Sequence, residues 1–375
     1  MSTTIPIIPQ PILQNAKRLL FISPLALGDF LYIKTFLIAL KAEQPDLEID
    51  LWLDDNRNNQ DSWRLSRSKI MKQWIESEPA FNLTYGCCSS KEEQEQLISR
   101  ARQRNYDIIV TEPTSKSERF AAIARRINSG GYLVCGVEKQ KFAGLLDKWL
   151  YRGSDRTYSL DIGKLETQHH ITDRYHLLID SLFGIGLEKT QFMPDMVISQ
   201  TFNQTTADWI ANNFIGADSQ GKLFFLNHLS TNSKRDWQLG QLFELIKRLH
   251  KQAPNSRFII NVTPDHVSGI RSKIAEDPKL ADMNIAVFTV GEHFFELPAL
   301  IAASDIVITV ETAIMHFATA LKRPLIAMMR QKKPYWAPPI TPTSQVLYAH
   351  KGRGHVSDID VEDVLKCYAQ MKNSL

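Results

Sequence analysis

The sequence predicts an α/β fold of the doubly wound type, built twice in one chain. Three observations lead there. Short apolar runs that read as buried strands alternate with amphipathic helical segments, the pattern of a parallel sheet covered by helices. At 375 residues the chain is longer than one hydrophobic core usually spans. The stretch 188–199, with Pro194 inside it, breaks the alternation once and reads as a crossover between two domains.

The elements follow in order. Residues 18–23 read as a first buried strand, then a loop around Gly28-Asp29 and a helix through Leu40. Residues 48–53 form a second strand, and 54–68 are polar and irregular. Helical spacing covers 70–75 and 92–104, and short buried strands lie at 106–110 and 133–137. The segment 140–165 shows no clear pattern. Residues 169–183 have Ile171, Tyr175, Leu178, Ile179 and Leu182 at helical spacing, stopping near Gly184 and Gly186. In the second half, strands are expected at 223–226, 258–262, 286–290, 305–310 and 325–329. Helices are expected at 239–251, near 267–276, and at 297–303; 330–345 is a Pro-rich basic loop. A terminal helix covers 361–371. Domains of 1–190 and 191–357 result, with 358–375 as a separate closing helix.

Composition narrows the function. With 43% hydrophobic and 23% charged residues the chain is an ordinary folded protein, and a net charge of +3 gives no case for nucleic acid. Four cysteines (Cys87, Cys88, Cys135, Cys367) lack metal-ligand spacing, which suits a reducing cytoplasm. No signal-peptide order opens the chain, and Asp29 and Lys34 interrupt its most apolar stretch, so no membrane span is expected. There is no G-x-G-x-x-G, Walker lysine motif or H-E-x-x-H.

Three turns carry the candidate chemistry, all at carboxyl ends of predicted strands, the ligand edge of an open parallel sheet. The first holds Gly28, which permits close backbone approach, and Asp29, which either projects as a reactive carboxylate or caps the helix. The second, His228 through Trp237, is rich in short hydroxyls (Ser230, Thr231) and carries Lys234, as diphosphate binding requires, or is a solvated turn. The third is Glu311-Thr312-Ala313, where a helix starts with Thr312 as its N-cap and His316 one turn in. Its unpaired N–H groups favour an anion. Basic residues gather late in the chain at Lys322, Arg323, Arg330, Lys332, Lys333, Lys351 and Arg353, beside Tyr335-Trp336. They suit an anionic lipid headgroup or a solvated face.

In these motifs and their order the chain resembles the family 9 glycosyltransferases, the bacterial heptosyltransferases of lipopolysaccharide core assembly. Ser23-Pro24-Leu25-Ala26-Leu27-Gly28-Asp29-Phe30-Leu31 is similar to the family's opening Gly-Asp loop, and Tyr106-Asp107-Ile108-Ile109-Val110 to its Tyr-Asp strand. Residues 230–237 resemble its hydroxyl-rich Lys-x-x-Trp phosphate loop, and residues 311–316 its Asp-Ser/Thr-Gly-x-x-His motif. The resemblance implies a GT-B fold: two Rossmann-like domains facing a central cleft, the last helix packing back toward the first. It implies metal-independent, inverting sugar transfer from a nucleotide diphosphate sugar, ADP-heptose by expectation, with no cofactor. The acceptor would be a lipid A–core glycolipid, met by a cytoplasmic protein in transient contact with the inner membrane.

Carried over by position, Asp29 would be the catalytic base, with Gly28 in the acceptor-side loop. Ser230, Thr231, Lys234, Glu311, Thr312, Ala313 and His316 would bind donor and phosphates. Asp265 lies near the place of the ribose-binding acid. The chain departs from the pattern at Glu311 (Asp in the family) and Ala313 (Gly in the family). A nucleotide-sugar epimerase of the same fold and a non-catalytic nucleotide-sugar-binding homologue therefore stay open as alternatives.

Overall fold

The computed structural model describes residues 5–138, 146–350 and 354–372. The chain forms two units, Met1–Pro194 and Asp195–Leu375, each around one six-stranded sheet. The boundary falls inside the predicted crossover.

In the first unit the strands are β1 (Arg18–Ile22), β2 (Glu48–Trp52), β3 (Thr84–Tyr85), β4 (Ile108–Thr111), β5 (Tyr132–Gly136) and β6 (Arg156–Tyr158). All neighbours run parallel in the order β3-β2-β1-β4-β5-β6. Parallel sheets are covered on both faces, which explains why these runs are apolar rather than alternating: all of β4 is buried. Winding proceeds from β1 outward to β3, then returns to β4 on the other side of β1. Loops leaving β1 and β4 therefore diverge, opening a crevice at their carboxyl ends. Ile22 pairs with both Trp52 and Thr111, so the three central strands end level.

The second unit repeats this winding. Its strands are β7 (Leu223–Asn227), β8 (Arg257–Asn261), β9 (Asn284–Phe288), β10 (Ile306–Val310), β11 (Leu325–Met329) and β12 (Ser344–Tyr348). The order is β12-β11-β10-β7-β8-β9, again parallel, with the reversal between β7 and β10. The predicted face of the helix Leu239–Gln252 is buried through Leu242, Ile246 and Leu249, joined by Leu245. The terminal helix Val361–Lys372 fills the same core with Val364, Leu365, Tyr368 and Met371. The helix Val361–Lys372 thus spends its apolar face on the core of the second unit.

Several elements went unanticipated: the helices Ser117–Ile127 and Gln200–Asn213, and strands β3, β6 and β12. The helix Ser62–Glu76 begins well inside the stretch expected to be irregular. Asp61 caps it by accepting from Arg64 N, and Arg64 itself is wholly buried. The guanidinium donates to Asp55 Oδ1 at 2.7 Å, to Asp54 Oδ1 at 3.1 Å and to the Cys88 carbonyl at 2.8 Å. The part of this helix that buries an ion pair shows no apolar period, unlike 70–75, where Met71, Trp74 and Ile75 are buried. Burial pushes Asp54 above the usual carboxylate range, whereas hydrogen bonds from Arg64 and Arg57 outweigh burial and hold Asp55 below it. Arg64→Ala leaves the Asp54 carboxylate buried without its cation. It should cost about 3–5 kcal/mol, read as a lower urea midpoint of the full chain; a loss below about 1 kcal/mol would remove this cluster from the list of stabilising contacts.

Candidate functional site

In the first unit, the turn after β1 enters the helix Leu27–Glu43 with Gly28 and Asp29 in its first turn. Both oxygens of the half-buried Asp29 carboxylate are held. Oδ2 accepts from Ala26 N at 3.2 Å, and Oδ1 accepts from the Tyr175 hydroxyl at 2.8 Å. Asp29 thus caps the helix at the carboxyl edge of the sheet, with the Tyr175 phenol on its other oxygen. Burial raises the Tyr175 phenol well above its usual range, and the neighbouring Asp29 carboxylate raises it further. Tyr175 therefore stays a hydrogen-bond donor.

Across the crevice Glu112 follows β4. Its N–H donates to the Ile22 carbonyl at 3.0 Å, extending the ladder one residue, and its Oε2 accepts from the Ser23 hydroxyl. Burial pushes Glu112 up to about 7, the Ser23 hydroxyl opposing and the Asp29 carboxylate adding to the rise. Neither Glu112 nor Tyr175 was assigned a role from sequence. Tyr175 was read only as a core position; a polar residue directly after an apolar strand was the available signal for Glu112.

In the second unit, the loops after β7 and β10 meet at the corresponding reversal. Asn227 ends β7 and donates to Thr309 Oγ1 on β10 at 3.1 Å; Asn261 on β8 donates to Asn227 Oδ1 at 3.0 Å. This amide network sets the three strand ends and was also missed. Beyond it the loop braces itself. Ser230 N and Oγ both donate to Asp236 Oδ1, at 2.6 and 2.8 Å, and Asn232 Oδ1 accepts from Lys234 N at 3.0 Å. Ser230 is therefore a loop brace in this structure. Trp237 is 1% exposed and donates from Nε1 to the Ile359 carbonyl at 2.9 Å, fixing the loop's far end. The Lys234 side chain is exposed and has no ion pair among the described residues.

Thr312 is the N-cap of the helix Ala313–Ala320 and accepts from Ile314 N at 3.3 Å. His316 is buried one turn in, its ring 5.4 Å from that of Trp336. Glu311 is engaged locally: Oε2 accepts from Arg330 N at 3.2 Å, and Oε1 lies 3.8 Å from Arg235 Nη1. Arg235 also donates to Thr231 Oγ1 at 3.1 Å. The extra methylene of Glu311 thus lets its carboxylate join the two loops. Asp265 sits in the loop after β8, largely exposed and 3.3 Å from His266 Nδ1. Of the late basic residues, Lys322 pairs with Asp195 and Arg330 donates to the Gly354 carbonyl, whereas Lys351 and Arg353 lie outside the described residues. Among the described residues no helix is long and apolar enough to cross a membrane.

With that geometry in place, comparison is informative. The sequence model of glycosyltransferase family 9 (heptosyltransferase) matches residues 102–369. Among solved structures, a family 9 glycosyl transferase from Veillonella parvula is 17% identical, with a TM-score of 0.70 over 96% of this chain and 98% of its own. The ADP-heptose lps heptosyltransferase II of E. coli is 18% identical, with a TM-score of 0.69 over 95% and 99%. The E. coli heptosyltransferase WaaC, solved with ADP, is 16% identical, with a TM-score of 0.62 over 95% and 98%. At these identities the likeness establishes the fold. No curated protein sequence matches the chain.

His228, the first residue after β7, gives a test of this loop's packing. It is buried, and burial pushes its pKa from 6.5 down to about 4, Asp236 opposing. The unfolded chain therefore takes up this proton first, so the neutral-ring contribution to stability is lost as pH falls from about 6.5 to about 4. Comparing denaturant midpoints across that range, His228→Gln should show a shallower decline than the parent; equal slopes would show that the ring is not held neutral.

Proposed function

Because the chain belongs to glycosyltransferase family 9 and is a glycosyltransferase, we propose that it moves a heptose from ADP-heptose to a lipopolysaccharide or lipooligosaccharide core acceptor, with inversion and without a metal. The observation that carries this reading is the pairing in the second unit. A Thr312-capped helix N-terminus and the Lys234 loop leave adjacent strands at the winding reversal.

The chemistry asks for such a pairing. As the glycosidic bond to phosphate breaks, negative charge builds on the departing nucleoside diphosphate. Preset donors stabilise that charge without reorganising: the Lys234 ammonium, the first N–H groups of the helix Ala313–Ala320, and the Thr231 and Thr312 hydroxyls. Together they supply the compensation a divalent cation gives elsewhere. His316 would contact the donor from within the helix. Glu311 would act by holding Arg235 beside Thr231, and Asp265 would reach the ribose.

On the first unit, Asp29 would take the proton of the attacking hydroxyl, which enters from the side opposite the leaving phosphate and so inverts the anomeric centre. The Tyr175 hydroxyl and the Ala26 N–H fix the carboxylate's direction, and Gly28 leaves room beside it. A lipid-linked acceptor implies work at the cytoplasmic face of the inner membrane. The exposed Lys332 and Lys333 beside Tyr335-Trp336 would suit its anionic headgroups.

Lys234→Ala should weaken ADP binding about tenfold or more by calorimetry, the size of one lost charge-assisted contact. An unchanged affinity would take Lys234 out of the phosphate site. Asp29→Asn should abolish heptose transfer in a radiolabel assay while leaving ADP affinity within about twofold, as expected for a base on the other unit. Loss of both together would point to a purely structural carboxylate.

A further inference from the structure

We propose that Glu112 is a second acceptor-binding residue of the first unit, one that holds a hydroxyl adjacent to the hydroxyl Asp29 activates. The inference rests on the glycosyltransferase reading and extends it, since the ligand it names is a polyhydroxylated acceptor presenting neighbouring hydroxyls.

The position is built rather than incidental. Glu112 leaves β4 at the winding reversal, directly across from the turn that carries Asp29. Gly136 on β5 makes its course possible: a Cβ there would lie 2.3 Å from Pro113 N and 2.7 Å from the Glu112 carbonyl carbon. Glu112 N is pinned to the Ile22 carbonyl, and its own carbonyl accepts from Thr114 N at 2.9 Å. The backbone at 112 is therefore held on both sides.

The side chain is half committed. Oε2 is held by the Ser23 hydroxyl, whereas Oε1 has no hydrogen-bond partner among the described residues. That open oxygen belongs to a half-buried residue at the ligand edge of the sheet. A buried carboxyl serving structure alone has both oxygens satisfied, as Asp54 does with Arg64, the Cys88 N–H and Gln94.

The charged and titratable groups facing Glu112 come from three elements. They are Asp29 on the helix after β1, Tyr175 on the helix Ile171–Phe183 and Tyr158 on β6. Tyr158 turns its hydroxyl to the Thr111 carbonyl at 3.0 Å, and Tyr175 turns its own to Asp29. Two carboxyls in one such site divide their protons unequally. Asp29 has a helix N-terminus, a backbone N–H and a phenol to stabilise its charge; Glu112 has one hydroxyl and the penalty of burial. Asp29 is thus suited to accept the proton of the attacking hydroxyl. Glu112, as the neutral acid, is suited to donate a hydrogen bond to its neighbour.

The test uses the full-length chain with a deacylated lipopolysaccharide core oligosaccharide as acceptor probe and ADP-heptose as donor. Glu112→Ala should raise the acceptor KM about tenfold while leaving the ADP affinity and the donor KM unaltered. Glu112→Gln, which keeps a neutral donor, should return the acceptor KM to within about threefold of the parent. In the parent, acceptor KM should rise as pH passes through about 7, where Glu112 ionises; in Glu112→Gln that rise should vanish. An acceptor KM unmoved by Glu112→Ala, or an identical pH dependence in parent and Glu112→Gln, would overturn the proposal. Carboxyl-carbon NMR of the same chain separates the two layers of inference. If the parent transfers nothing, the proposed heptose transfer to a core acceptor fails, and the proposal is decided by whether the oligosaccharide shifts the Glu112 signal. A signal that the oligosaccharide leaves in place would end it.

Discussion

A parallel sheet can wind outward from its first strand in only two directions, and the place where it changes direction is the one edge where neighbouring loops part company. The main residues proposed to act are gathered at those two places. In the first unit they are the ends of β1 and β4, which carry Asp29 and Glu112; in the second, the ends of β7 and β10, which carry Lys234 and the Thr312-capped helix. The geometry follows from strand burial. Because Ile22, Trp52 and Thr111 are in register, loops that differ in sequence and length still begin from one level.

The two reversals are furnished for opposite charges. The first concentrates carboxyls, phenols and a serine. The second concentrates an exposed ammonium, short hydroxyls and a helix N-terminus, with its own carboxylates, Glu311 and Asp236, turned to brace the loops. Proton removal and anion stabilisation are incompatible within a single small site, since a lysine beside the base would lower its basicity and a carboxylate beside the phosphates would repel them. Winding the same sheet twice gives each environment a unit of its own.

Much of this arrangement was legible in the sequence because it is local. Strand, turn and capped helix follow one another within about a dozen residues, which is why Asp29, Lys234 and Thr312 could be placed without coordinates. What escaped was made by distance along the chain. The phenol that fixes Asp29 comes from Tyr175, and the carboxyl opposite comes from the end of β4. Arg64 is buried by ionic partners, so the first half of its helix had no apolar rhythm to detect. Strand β3 is two residues long and owes its existence to β2. The terminal helix was recognised from its amphipathic face, but such a face does not say which core it will enter.

The indole of Trp237 links two parts of the second unit that the sequence holds far apart. Its N–H is tied to the Ile359 carbonyl, and Gln241 donates to the same carbonyl at 3.1 Å. The tail ahead of the last helix therefore serves as the anchor post of the loop that carries Lys234. Trimming the chain short of that post, or crowding it with an added tag, would slacken the loop from a distance, in a way that no inventory of the loop's own residues would anticipate.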